Sequence, residues 1–254
     1  MTPPILATED LTVRFGGHVA VDSVTCAFQA GELTAIVGPN GAGKTTYFNL
    51  ISGQIPATSG RVLLRGRDIA GQSVSHRTRE GIGRAFQLTN LFPNLSVLEN
   101  VRLVAQAKAG QGFNLFSMAS RQTELTEAAE AVLDRVRLLD SRDQVVSELS
   151  HGDQRKLEVA LLIALDPAVY MFDEPTAGMS VDEAPVVLDL IAELKDQKDR
   201  TILLVEHKMD VIRTLADRII VLHNGALAAD GAPAEVMASA VVQEAYMGQE
   251  LEDV

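Results

Sequence analysis

Gly38-Pro39-Asn40-Gly41-Ala42-Gly43-Lys44-Thr45 decides how this chain is read. It satisfies the spacing G-x-x-x-x-G-K-[ST], directly after the apolar run Leu33 to Val37 and directly before Lys44 to Ser52, a helical stretch whose end is marked by Gly53. Glycines let consecutive backbone N–H groups wrap a phosphate without Cβ clashes, and the following helix adds its positive dipole end. Lys44 then reaches the β- and γ-phosphates, and Thr45 can ligate Mg²⁺. The expectation is a nucleotide-binding loop held between a strand and a helix.

Upstream of this loop, Leu6 to Phe15 and Val19 to Phe28 read as strands, punctuated by Gly16-Gly17 and Ala30-Gly31. Downstream, Arg61 to Leu64 reads as a further strand. From about Leu88 to Ala160 helical periodicity takes over, which predicts an inserted helical subdomain. Ser96-Val97-Leu98-Glu99 fits a capping box opening a helix through about Lys108. After a loose stretch, Gly110 to Met118, the residues Leu125, Ala128, Ala129, Val132, Val136 and Leu139 predict a long amphipathic helix. Strand and helix then alternate: Ala168 to Phe172, Asp182 to Lys195, Thr201 to Val205, Lys208 to Leu215 and Arg218 to Leu222. Such alternation implies a mainly parallel sheet with helices on its faces, an α/β fold. His223-Asn224-Gly225 predicts a tight hairpin turn before Ala226 to Ala229.

The second half of a nucleotide site is legible in Val169-Tyr170-Met171-Phe172-Asp173-Glu174, an apolar strand ending in two carboxylates. Its C-terminal edge belongs beside the phosphate loop, where Asp173 can hold the metal and Glu174 can polarise an attacking water as general base.

Composition narrows the partners. The 254 residues carry 22 Lys+Arg against 34 Asp+Glu, a formal net charge of −12, which argues against general binding to nucleic acid or to an anionic membrane surface. The single cysteine, Cys26, excludes an internal disulfide and suits a reducing compartment, so a cytoplasmic location is expected. The start MTPPILATEDLTVRF lacks the basic and apolar regions of an export signal. No apolar stretch approaches the ~20 residues of a membrane span. The one basic run, Arg61, Arg65, Arg67, Arg77, Arg79 and Arg84, reads as a solvated face or a set of intramolecular ion pairs.

Leu149-Ser150-His151-Gly152-Asp153-Gln154 completes the pattern, with Ser150 positioned to cap a helix and Asp153 in its first turn. With the two phosphate motifs, it resembles the signature segment of ABC transporter ATP-binding subunits, over nearly the whole chain. The resemblance is nearest to the branched-chain amino acid transporter ATPases, on Arg14-Phe15-Gly16-Gly17, on the run from Leu149 to Glu158, on Glu174-Pro175-Thr176-Ala177-Gly178-Met179 and on Tyr246-Met247-Gly248. It implies a phosphate-loop (RecA-like) core with an antiparallel β subdomain and an inserted α-helical subdomain. Residues 1–254 then form a single nucleotide-binding domain, with core and β subdomain at 1–87 and 161–254 and the helical subdomain at 88–160.

The resemblance also implies a site. Phe15 would stack on adenine; Gly38, Pro39, Asn40, Gly41, Ala42, Gly43, Lys44, Thr45 and Thr46 would hold the phosphates of ATP; Thr45, Gln87 and Asp173 would serve Mg²⁺. Glu174, His207 and Gln87 would act in hydrolysis, while Ser150 and Gly152 would meet the γ-phosphate held by a second ATPase subunit, a copy or a paralogue, in a head-to-tail dimer. The implied partners are separate transmembrane permease subunits and, indirectly, an extracytoplasmic substrate-binding protein, with no nucleic acid. The implied location is cytoplasmic, peripheral on the inner face of the membrane. Uptake of branched-chain amino acids is the leading reading; a urea or amide importer, or a soluble non-transport ABC ATPase, stands as the alternative. Four positions depart from the family pattern: His151 replaces a glycine, Asp153 stands where many members have glutamine, Phe15 takes the place of a tyrosine, and Ser180 stands where an aspartate is usual, leaving Asp182 two residues on. Unequal ATP sites are the expectation from that change.

Overall fold

Three strands open the chain: β1 (Leu6–Phe15), β2 (His18–Phe28) and β3 (Leu33–Val37). They are followed by helix α1 (Lys44–Ser52), strands β4 (Ser59–Leu64) and β5 (Arg67–Asp68), helix α2 (Val74–Glu80) and strand β6 (Ile82–Ala85). Helices α3 (Val97–Lys108), α4 (Met118–Arg135) and α5 (His151–Leu165) come next. Strand and helix then alternate through β7 (Val169–Asp173), α6 (Ala184–Asp196), β8 (Thr201–Val205), α7 (Met209–Leu215), β9 (Arg218–His223), β10 (Ala226–Gly231) and α8 (Pro233–Met237). This computed structural model describes residues 3–85, 91–109 and 118–239. The chain divides into two units, one of 1–82, 168–174 and 195–254, the other of 83–167 and 175–194.

The first unit holds two sheets. One is antiparallel, in the order β2-β1-β4-β5; the other runs β10-β9-β3-β8-β7 and continues into β6, through which the chain leaves the unit. In the second sheet β3 pairs in parallel with both β8 and β9, and β7 pairs in parallel with β8. All residues of β3, β7 and β8 are buried, as expected for parallel strands covered on both faces. Because side chains alternate along a strand, β3 and β9 feed two cores. Ile36, Ile220 and Leu222 join Phe48, Ile51 and Val205 on one face, whereas Ala35, Val37, Ile219 and Val221 join Ile212 and Val236 on the other. Asn224 and Gly225, at φ +49° and +79°, turn β9 into the antiparallel β10 as the sequence predicts.

Arg77 is the largest of the fully buried side chains among the described residues, at 2% exposure. Its Nη1 donates to the carbonyls of Leu50 and Ile51 at 2.7 Å each, its Nη2 to Ala70 at 2.7 Å, and its Nε to Gln72 at 3.2 Å. The last carbonyls of a helix have no intrahelical partners, so one guanidinium here satisfies the C-terminal end of α1 and fastens α2 to it. Gly53 must be glycine, at φ +82°, because a Cβ there would lie 2.7 Å from Arg77 Nε. The basic run is solvated as expected at Arg61, Arg65, Arg67 and Arg79, with Arg61 paired to Glu9, but Arg77 departs from that reading as an internal cap.

In the second unit, α3 packs against α4 and α5. Ser96 accepts the Glu99 amide at 3.2 Å, which is half of the expected capping box; the Glu99 carboxylate turns instead to Arg102 Nη2 at 2.7 Å. The amphipathic helix also differs from expectation, ending at Arg135 rather than continuing to Leu139. Arg137 sits at φ +57°, its amide bonds Asp134 O at 3.0 Å, and the Leu138 amide bonds Leu133 O at 2.8 Å. This is a Schellman closure with arginine in the place glycine usually takes. Val136 and Leu138 stay buried past the helix end, so apolar spacing alone misplaces the boundary. Of the stretch expected to be loose, Gly110 to Met118, Met118 already opens α4, while residues 110–117, the Gln87 region and the terminal Tyr246-Met247-Gly248 lie outside the described residues.

Replacing Arg77 by alanine strands four carbonyl acceptors and opens a cavity. We expect a loss of about 2–4 kcal/mol in unfolding free energy, read as a lower urea midpoint. Arg77→Lys, with a point charge in place of a planar fork, recovers only part of it.

Candidate functional site

The parallel register brings the ends of three strands level. Ile36 of β3 pairs with Val205 of β8, and Val205 with Asp173 of β7. One or two residues beyond that line lie Gly38, Glu174 and His207. Open α/β sheets bind ligands at this edge, outside the carboxyl ends of the strands.

The loop between β3 and α1 is shaped by its glycines. Gly38 is buried, and a Cβ there would fall onto the carbonyl of Leu222; Gly43, at φ +95°, would place one 2.5 Å from Ala20 O. At Gly41, with φ +78°, a Cβ would meet nothing within 4 Å. Gly43 opens α1 without any capping side chain, and the first turn holds no acidic residue. The amides of that turn therefore have neither an intrahelical partner nor a side-chain cap. Lys44 adds a cation at the positive end of the helix dipole, a placement that favours an anion beside it. Its Nζ donates to the carbonyls of Gly38 at 2.6 Å and Pro39 at 2.9 Å. Burial pulls the Lys44 ammonium below the ordinary lysine range, opposed by the charges of Glu174 and then Asp173.

A cavity of about 260 Å³ opens over this loop, lined by residues 40–46 together with His18, Ala20, Glu174 and His207. Glycine backbone, a lysine and hydroxyls of Thr45 and Thr46 face it, a donor set suited to phosphate oxygens. Asp173 is 7% exposed at the end of β7, and Thr45 is exposed at the start of α1. Hard oxygen donors of this kind fit Mg²⁺, which binds through few carboxylates and hydroxyls with the substrate phosphates supplying the rest.

Glu174 stands in the left-handed region at φ +52°, a conformation costing roughly 1–2 kcal/mol for a residue with a Cβ. Its amide donates to Val205 O at 2.9 Å, which holds the turn. The side chain is thereby directed to His207, with Oε1 2.8 Å from Nε2. His207 is held from its own side: Glu206, 4% exposed, accepts the His207 amide at 2.7 Å. Glu206 and the cavity residue His18 were not singled out by the motifs. The signal for Glu206 is an acid at the end of an apolar strand, in the manner of Asp173; His18 has no signal beyond following the Gly16-Gly17 turn.

Phe15, at 52% exposure, ends β1 opposite His18 and presents a free aromatic face, though it does not line the phosphate cavity. Gln87 lies outside the described residues. Ser150 and Gly152 belong to the second unit, where Ser150 Oγ accepts the Asp153 amide at 3.1 Å and donates to Asp153 Oδ2 at 2.9 Å. The acid that meets Ser180 is Glu183, not Asp182: Ser180 donates to Glu183 Oε2 from its amide at 3.0 Å and its hydroxyl at 2.8 Å. Ser-x-x-Glu is the capping-box spacing, and that spacing is the sequence signal for Glu183.

A phosphate loop on a parallel sheet, an acidic strand end, a Glu174–His207 pair and a separate helical unit with a capped Ser150 define an ATPase of the ATP-binding-cassette type. The ABC transporter family model matches residues 21–177, and the chain belongs to this family, as an ATP-binding subunit. It is 38% identical over 255 residues to the high-affinity branched-chain amino acid transport ATP-binding protein LivG of Salmonella typhimurium, covering 98% of this chain and all of that one. Among solved structures it is similar to the ADP conformation of an ATP-binding cassette of an ABC transporter, with TM-score 0.81, 30% identity and coverage of 97% and 100% of the two chains. It is also similar to a dimeric post-hydrolysis cassette bound to ADP and Pi, with TM-score 0.78, 25% identity and coverage of 90% and 98%. Among the described residues no helix is long and apolar enough to cross a membrane.

Two glycines separate the loop's requirements. Gly43→Ala drives a Cβ into Ala20 O, so ATP binding is expected to weaken at least ~10-fold, with a stability loss of about 2–3 kcal/mol. Gly41→Ala meets open space and should cost only the left-handed strain, roughly 1 kcal/mol. Titration with a fluorescent ATP analogue and urea unfolding measure both.

Proposed function

We propose that this chain powers uptake of branched-chain or other hydrophobic amino acids through a separate membrane permease, by binding and hydrolysing ATP between two ATPase subunits arranged head to tail. The observation that carries the hydrolytic part is the 2.8 Å pair of Glu174 and His207 on the rim of the phosphate cavity. The transported class rests on the relative's name and on its match over the full length of both chains.

In this reading the loop amides and Lys44 hold the β- and γ-phosphates, and Phe15 offers its face to the base. Mg²⁺, with Thr45, Asp173 and Gln87 as the residues to hold or sense it, supplies charge neutralisation on the phosphates. Glu174 takes a proton from the attacking water, and His207, positioned by Glu206, donates to the γ-phosphate oxygen. Ser150 and Gly152 of the second subunit close the site from the other side through the amides that open α5. ATP thus bridges two chains, and its loss lets them part. The dimeric relative bound to ADP and Pi supports that arrangement. Closure is a population shift, set by how much more tightly the closed pair holds ATP than the open chain does.

Glu174→Gln removes the base and keeps the size. ATPase activity is expected to fall at least ~100-fold, while ATP and Mg²⁺ now trap a stable dimer, alone or with the partner ATPase, seen by light scattering. A chain that stays monomeric in both settings contradicts the arrangement.

For the transported class, the ATPase co-purified with its permease and placed in liposomes should be stimulated by leucine, isoleucine or valine with the matching binding protein. Stimulation by urea alone reassigns the substrate, and an ATPase that purifies with no permease points to the soluble alternative.

A further inference from the structure

Two of the departures from the family pattern, His151 and Ser180, belong to the second unit. The His151 ring lies beside Gly178, where an added Cβ would come 3.4 Å from Cδ2 and 3.5 Å from Nε2. Ser180 gives both its amide and its hydroxyl to Glu183 Oε2, at 3.0 and 2.8 Å. The other oxygen, Oε1, is 4.0 Å from Lys156 Nζ, which donates to Asp153 Oδ1 at 2.8 Å. Asp153 in turn accepts Ser150 Oγ at 2.9 Å through Oδ2. Hydrogen bonds thus join Ser180 to Glu183 and Lys156 through Asp153 to Ser150, and between them Glu183 and Lys156 stand as an ion pair at 4.0 Å.

The same carboxylate lies directly on Gly152, where a Cβ would fall onto its oxygens. Gly152 is buried and not in the left-handed region, so its lack of a side chain serves the approach of Glu183 rather than backbone freedom. The Ser180 amide, and then its hydroxyl, hold the Glu183 carboxyl below the ordinary range, so the charge is present at neutral pH.

We propose that Glu183 is a positioning residue for ATP-driven closure. It supplies, one turn on, the carboxylate absent at position 180, and it fixes the segment Ala177 to Ser180 to the first turn of α5. In the head-to-tail reading the Ser150–Gly152 amides must be held in place to meet the facing subunit, and a carboxylate bonded to Ser180 through Oε2 while lying on Gly152 restrains the turn that carries them. Serine at 180 is thus compensated rather than defective, which revises the expectation of unequal ATP sites from that change alone. The proposal rests on the head-to-tail reading above.

The test compares Glu174→Gln with Glu174→Gln/Glu183→Ala and Glu174→Gln/Glu183→Gln. In the alanine variant the ATP concentration for half-maximal dimer should rise about 10-fold, from the loss of charge-assisted hydrogen bonds. The affinity of the monomer for a fluorescent ATP analogue should stay unchanged, since the residues lining the phosphate cavity belong to the other unit. Glutamine keeps an acceptor for Ser180 and should return the dimer midpoint to within about 3-fold of the parent. In the Glu174 background, Glu183→Ala should lower kcat by a similar factor. An unchanged or lower dimer midpoint in the alanine variant overturns the proposal. So does a parallel loss of monomer nucleotide affinity or of circular dichroism signal, which marks a purely structural role. If the Glu174→Gln parent forms no dimer, the head-to-tail reading fails first, and the proposal falls with it at a visibly earlier step.

Discussion

The register of three adjacent parallel strands is the constraint on which the site depends. With Ile36, Val205 and Asp173 level, the phosphate loop, Glu174 and His207 emerge from one edge within a residue or two of each other. A slip by one residue would invert every side chain and send the buried row of β8 to the opposite core. Burial on both faces is what prevents the slip, since Ile36 and Ala35 already belong to different cores. The Glu174 amide extends that register past the end of β7 by bonding Val205 O, and so turns a strained residue toward His207. Strain at this position is supported by the sheet behind it, the arrangement expected where a side chain must be aimed.

Charge is managed locally, against an overall balance of −12. Lys44 stands at the positive end of α1, where electrostatics alone would disfavour it, and the opposite end of the same helix is closed by Arg77. One cation lines the phosphate cavity and the other closes a helix, and of the two only Arg77 belongs to the basic run expected to be solvated or ion-paired. The acidic groups divide in the same way. Asp173 and Glu174 face the phosphate loop, while Glu206 and Glu183 hold neighbouring backbone and hydroxyl groups in place.

Much of the site was legible because its chemistry requires consecutive residues. A loop that wraps phosphate needs glycines at fixed offsets, and an acid must end the neighbouring strand, so Gly38 to Thr46, Asp173 and Glu174 could be read in order. Partners that meet through space left weaker traces. Glu206 and His18 carry no spacing rule, and the Ser-x-x-Glu spacing of Ser180 and Glu183 is shared by ordinary helix caps. α4 ends before its apolar spacing does, because Val136 and Leu138 keep the helical rhythm of burial after Arg137 has already reversed the backbone.

By itself, the sequence determined the alternation of strand and helix, the phosphate loop, the acidic strand end and the family. Each depends on local periodicity or on contiguous residues, which a linear string records. Only the tertiary structure decided that Arg77 is internal, that Glu174 is aimed at His207 by a left-handed turn, and that Glu183 lies against Gly152. Those outcomes depend on distances between residues tens of positions apart, or on which oxygen of a carboxylate a neighbour reaches, and neither is encoded in spacing along the chain.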